Sequence, residues 1–389
     1  MLGILIVIYI VFISLGLPDS IFGVAWPVVH QDFGIDQSFA SLYSIITGVC
    51  SGGASFLGGK LIRKFGTPAV TMVSILLTVL GLVGMSFSPN IWVMMFFAVI
   101  LGYGAGAIDT GLNNYVSLHY KARHMSWLHC FWGIGVTASP IIMSAFLGGG
   151  AGAWRGGYRA VAAIQLVIAL IVAFALKRWR ALDTSLTDVK TDENLPKEKI
   201  KLSSFKGIIT SILTLGLYCS MEFIIGTWGA TYLVNSFAIP PENAARWISV
   251  YFGGIMLGRF VSGFLSIKLN DTSLIRLGLT VSLLGICVLL LPNETLSHWG
   301  LLLIGFGFGP VFPSVLHAVP ERFGKEYSAD ITGFHMGGAY ALGFALQLVF
   351  GFAASATTFK ITAPVLAAVC LLAILMNEIT VKRIIRGKK

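Results

Sequence analysis

Twelve predominantly apolar runs, each long enough to cross a lipid bilayer as a helix, follow one another almost end to end along these 389 residues. They lie at 4–29, 38–59, 68–87, 91–118, 126–148, 157–176, 207–234, 244–267, 273–291, 299–318, 328–353 and 361–380. A spanning helix needs about 20 such residues at 1.5 Å each. Hydrocarbon supplies no water to the backbone, so runs of this length can satisfy their N–H and C=O groups only as helices. Charged residues make up 11% of the chain, against about 25% in an average soluble domain, and no polar stretch is long enough to form a separate soluble domain. The fold class is therefore an all-α membrane protein of twelve transmembrane helices.

Most joints are short and marked by polar residues, proline or glycine: His30–Gln37, Ser88-Pro89-Asn90, Pro240-Pro241 and Pro292-Asn293. One joint is different. Residues 177–206, starting at Lys177-Arg178-Trp179-Arg180, are polar and charge-rich and read as a central linker between a first six-helix half, 1–176, and a second, 207–389, which ends in a basic tail. Lysines and arginines accumulate on the cytoplasmic side of membrane proteins. With both termini inside, only Arg155, Arg159, Arg246 and Lys360 of the 27 basic residues fall near the outer face. The net charge of +10 is then a topological and lipid-facing charge, with no nucleic-acid partner implied.

Residues 1–29 have no basic leader region and no small-residue cleavage site, so they read as a retained first helix. Cys50, Cys130, Cys219, Cys287 and Cys370 fall inside apolar runs without paired spacing, which predicts neither disulfide nor metal site. No His-Glu-x-x-His, Gly-x-Ser-x-Gly or metal-ligand cluster occurs, so no enzyme and no cofactor is expected.

Three carboxylates stand where apolarity should exclude them: Asp19 in the first run, Asp109 in the fourth and Glu222 in the seventh. Each costs about 2.5–3.5 kcal/mol at mid-bilayer on insertion scales and is a functional candidate by default. Burial also favours the neutral acid, which is what a proton-binding group requires. From the expected helix ends, Asp19 lies ~22 Å and Asp109 ~15 Å from the cytoplasmic side, which offsets the two along the membrane normal. Asn113 shares a helical face with Asp109, and Asn114 lies beside it; His129 and Trp132 share a face of the fifth run. Amide, carboxylate, imidazole and indole together suit a polyhydroxylated ligand, whose hydroxyls need donors and acceptors and whose C–H faces stack on aromatics. In the second half Trp228, His335 and Gln347 are the corresponding substrate-binding candidates.

The two halves also share a pattern. Gly58-Gly59-Lys60-Leu61-Ile62-Arg63-Lys64-Phe65-Gly66 ends the second run, and Gly258-Arg259-Phe260-Val261-Ser262-Gly263-Phe264 with Lys268 ends the eighth. The first resembles the loop motif G-x-x-x-D-R-x-G-R-[RK] of the major facilitator superfamily, with Lys60 or Leu61 where an acidic residue is usual. The resemblance implies that superfamily's fold of two six-helix halves, and gating roles for Lys60, Arg63, Lys64 and Arg259. The stretch Gly102 to Asn113, containing Asp109-Thr110-Gly111-Leu112-Asn113, is followed by Leu128-His129-Cys130-Phe131-Trp132-Gly133-Ile134-Gly135. This resembles the signature of the fucose permease and sodium-dependent glucose transporter-like branch, and Gly16-Leu17-Pro18-Asp19 matches that group's acidic position in helix 1.

What the resemblance implies is a multi-pass secondary transporter of the cell membrane. It would move a small polar solute, a monosaccharide first, by alternating access in symport with a cation, proton ahead of sodium. Asp19, Asp109 and Glu222 are the expected proton-coupling groups, and a monomer in the bilayer is the expected state. A drug or metabolite exporter and a non-transporting membrane sensor are the alternatives.

Overall fold

The computed structural model describes residues 2–120, 122–186, 205–291, 293–324 and 328–387. Residues 187–204 of the expected linker, and the side chains of Lys60, Arg63 and Asn114, lie outside the described residues. Among those described there are helices and no strands: α1 (Leu2–Asp32), α2 (Phe39–Phe65), α3 (Thr67–Phe87), α4 (Ile91–His119), α5 (Ala122–Leu147), α6 (Trp154–Leu186), α7 (Ile208–Phe237), α8 (Pro241–Leu265), α9 (Asp271–Leu289), α10 (Glu294–His317), α11 (Val319–Phe323), α12 (Ser328–Ala356) and α13 (Thr362–Gly387). Among the described residues, eleven helices are long and apolar enough to cross a membrane. The five-residue α11 is a helix that the sequence does not announce. Small polar residues of α2 face α4: Ser55 Oγ donates to Ser51 O at 3.0 Å and to Gly106 O at 3.3 Å, a close contact between the two helices.

The joints form where local chemistry puts them. Asn90, Asn270 and Asn293 cap α4, α9 and α10 by accepting from Val93 N, Ser273 N and Leu296 N at 3.1, 2.9 and 3.1 Å. Gly66, at φ 79°, turns the chain from α2 into α3 in a single residue. One boundary differs from the sequence reading. Helix α6 continues to Leu186 through the expected start of the linker, because Trp179, seven residues beyond Val172 on the same face, is fully buried edge-on against Tyr115 at 5.7 Å.

The chain divides into two compact units, Met1–Asn194 with Pro240–Ser249, and Leu195–Ile239 with Val250–Lys389. In the first, α1 packs on α5 and α6, α4 on α2 and α3, and α3 on α6. In the second, α7 packs on α12 and α13, α9 on α10 and α13, while Gly254 and Gly258 of α8 abut Leu302 and Phe306 of α10. The same pairing scheme thus serves both, as an internal repeat requires.

The end of α1 is clamped by Asp32, whose Oδ2 accepts from Gly152 N and Trp154 Nε1, each at 2.6 Å, with Arg155 3.8 Å away and lying over the Trp154 ring. Replacing Asp32 by Ala leaves the buried Trp154 indole N–H unpaired. We expect a loss of about 1–3 kcal/mol, read as a lower thermal unfolding midpoint in detergent; an unchanged midpoint would show that the clamp carries no stability.

Candidate functional site

The polar groups of the first unit are arranged by a glycine crossing between α1 and α5. A Cβ placed on Gly16 would lie 2.3 Å from Trp132 O, and one on Gly135 would lie 2.2 Å from Ile13 O. The two backbones therefore touch directly, as small residues permit between membrane helices. At this crossing the Trp132 indole Nε1 donates to Asp19 Oδ2 at 2.7 Å. From Ser14 to Pro27 every residue of α1 is buried except Asp19, which is exposed. Tyr43 of α2, stacked on Phe22 with centroids 3.5 Å apart, is within reach of the Asp19 charge. Toward the α1 N-terminus, His129 meets the edge of Phe12 at 5.9 Å. Further along, Tyr9 stacks on Phe131 at 4.6 Å and its hydroxyl pairs with His124 Nδ1 at 2.9 Å.

Two prolines interrupt the helices on either side of Asp19, and each freed carbonyl has found a side chain. Pro18 has no N–H to give Ser14 O; Gln165 Nε2 of α6 donates to that oxygen at 2.6 Å, while Ser14 Oγ donates to Gln165 Oε1. Pro140 likewise releases Val136 O in α5, and Ser20 Oγ of α1 donates to it at 2.9 Å. An unmet carbonyl in hydrocarbon costs several kcal/mol, so these bonds are the condition for having proline there.

Asp109 forms a second polar pair, on α4. Asn113 Nδ2 donates to Asp109 Oδ1 at 2.7 Å and to Asp109 O at 3.0 Å, and both residues are half-buried. Gly102 and Gly106 nearby touch Thr47 and Ser51 of α2.

In the second unit Glu222 and Arg259 are half-buried, and Tyr218, Cys219 and Tyr251 are buried. Tyr218 and Tyr251 flank Phe308 with centroids 5.1 and 6.2 Å away. The Tyr218 hydroxyl approaches Glu222 without reaching full hydrogen-bond geometry, and that of Tyr251 has no hydrogen-bond partner among the described residues. Lys64 at the end of α2 is exposed over the Phe65 ring. His335 is fully buried between Ile331 O at 2.9 Å and Ser211 Oγ at 2.8 Å. Trp228 and Gln347 are also fully buried; the indole N–H and both amide heteroatoms lack hydrogen-bond partners among the described residues.

A family model described as Major Facilitator Superfamily matches residues 8–348. The chain belongs to the major facilitator superfamily. It is accordingly a multi-pass transporter of the cell membrane and not an enzyme. A putative glucose/galactose transporter of Helicobacter pylori is 24% identical over 320 residues, covering 75% of this chain and 76% of the relative. The glucose/mannose transporter GlcP of Bacillus subtilis is 22% identical over 391 residues, covering 96% and 93%. The crystal structure of a D-xylose-proton symporter superposes with a TM-score of 0.73 over 96% of this chain and 97% of its own, at 12% identity. That last likeness establishes the shared superfamily fold.

The sequence pointed to Asp19 and Trp132 separately but not to their bond, and it pointed to Tyr218 beside Glu222 but not to Ser14, Ser20, Gln165 or Tyr251. A usable signal was present for three of these: a proline inside a membrane helix frees a carbonyl whose donor must be sought elsewhere.

Proposed function

We propose that this superfamily member is a monosaccharide symporter that couples uptake to protons by alternating access, with both termini cytoplasmic. One observation carries the proposal: Asp19, alone exposed in a buried stretch of α1, receives the Trp132 indole N–H. A carboxylate reached by an indole donor accepts from sugar hydroxyls when ionised and carries a proton when neutral. Asp109, with Asn113, supplies a second carboxylate on α4, and Glu222 a third, in the second unit. Asn114 and His129 complete the proposed set of substrate-facing groups; Trp228, His335 and Gln347 are fully buried and are left out of it. Lys60, Arg63, Lys64 and Arg259 carry the proposed gating role. The names of the glucose/galactose and glucose/mannose relatives support the sugar class.

The test is uptake by the purified protein in liposomes, with a panel of monosaccharides under imposed proton or sodium gradients. Concentrative uptake of at least one sugar, driven by an inward proton gradient, is expected. A silent panel would remove the substrate class; uptake that ignores pH and follows sodium would replace the ion. Asp109→Asn is expected to slow proton-driven uptake with a changed pH profile, and an unaltered profile would remove Asp109 from the coupling path.

A further inference from the structure

Gln165 occupies an unusual place. It is fully buried, yet Ala163, Ile164, Leu166 and Val167 around it in α6 are exposed. Its side chain is committed at both ends to one residue of another helix, Nε2 to the Ser14 carbonyl and Oε1 to the Ser14 hydroxyl. A two-point contact of this kind fixes orientation as well as distance. The adhesion of α6 to α1 comes from elsewhere: Ile168, Ala169 and Val172 share an apolar cluster with Ile8, Val11, Phe12 and Leu15. The Ser14 carbonyl needs a donor only because Pro18 cannot supply one, and Asp19 follows Pro18 directly.

We propose that Gln165 is a positioning residue for Asp19. By holding Ser14 across the proline interruption, it sets the course of α1 over Leu15–Asp19 and so aims the Asp19 carboxylate at Trp132 Nε1. The Ser20–Val136 bond anchors the far side of the same short segment. Asp19 is thus held from two directions by helices other than its own, through bonds that can be exchanged without unwinding either helix. This inference rests on the reading of Asp19 as the coupling carboxylate.

The test uses the full-length protein in liposomes. Gln165→Leu keeps the bulk of the side chain and removes both bonds. Proton-driven accumulation is expected to fall about tenfold to a hundredfold, as misplacement of a reacting group by an ångström can cause. The pH profile of uptake is expected to move, while sugar counterflow persists. In Pro18→Ala/Gln165→Leu a backbone N–H is returned to Ser14 O, so activity should recover to within about threefold of Pro18→Ala alone, the departure from additivity expected of directly coupled residues. Wild-type accumulation and pH profile in Gln165→Leu would overturn the proposal, as would a loss that Pro18→Ala fails to relieve. Should Gln165→Leu not fold, the unbranched Gln165→Met keeps the length of the side chain and removes both bonds, and an unmoved pH profile there is equally decisive against it. Asp19→Asn separates the two readings: concentrative uptake in that variant refutes the coupling role itself, whereas a failing Asp19→Asn beside a normal Gln165→Leu refutes only the positioning.

Discussion

Replacing Asp19 by Asn is expected to abolish concentrative sugar uptake while leaving sugar exchange down its own gradient intact. Asparagine keeps an acceptor oxygen at the place where Trp132 Nε1 now donates at 2.7 Å, so the local packing survives. What disappears is the group that can take up and release a proton. In liposomes with an imposed pH gradient the internal sugar should rise only to the external concentration, and counterflow should continue. Trp132→Phe tests the other partner: a hydrogen bond to a charged group contributes about 1.5–3 kcal/mol, equivalent to roughly a tenfold to 150-fold weakening of sugar binding if the indole holds the carboxylate in its binding geometry. Accumulation above the external level by Asp19→Asn would refute the coupling role outright.

The second large effect concerns the crossing that brings these residues together. Gly135→Ala places a methyl 2.2 Å from Ile13 O, where ordinary C···O contacts are about 3.3–3.6 Å. Both atoms belong to helix backbones, so no side-chain rotation relieves the clash and α1 and α5 must move apart by about 1 Å. Overpacking of this kind costs about 1–3 kcal/mol or more. We expect a lower unfolding temperature together with loss of uptake, because the Asp19–Trp132 bond is stretched by the same displacement. Gly52→Ala and Gly53→Ala are the controls, since a Cβ at either meets nothing within 4 Å. Equal behaviour of Gly135→Ala and these controls would disprove the close crossing.

The residues differ in how far they announced themselves. Asp19, Asp109 and Glu222 were legible because a carboxylate in an apolar run is conspicuous whatever the fold. The number and order of helices followed from run length, which the bilayer fixes. Pairings between helices were not legible: Gly16 and Gly135 are two of 45 glycines, and only the crossing makes them partners. Arg259 drew attention through a loop motif, yet that its side chain is half-buried depends on how α8 is rotated. Trp179 resembled part of a charged linker because its apolar phase is visible only when α6 is extended through Lys177 and Arg178. Gln165 looked like an incidental polar residue, since its role depends on a proline about 150 positions earlier.

That separation bears on how the protein is made. The Ser14 carbonyl and its donor Gln165 are 151 residues apart in the chain. At ribosomal speeds of about 5–20 residues per second, roughly 8–30 s pass between synthesis of the one and of the other. During that interval the first helix cannot rest in lipid with its backbone satisfied. It must keep the interrupted turn hydrated, or sheltered by the insertion machinery, until the sixth helix emerges. Release of α1 into the bilayer is therefore tied to completion of the first six helices, and a chain truncated before Gln165 should leave α1 less firmly inserted than one truncated after it.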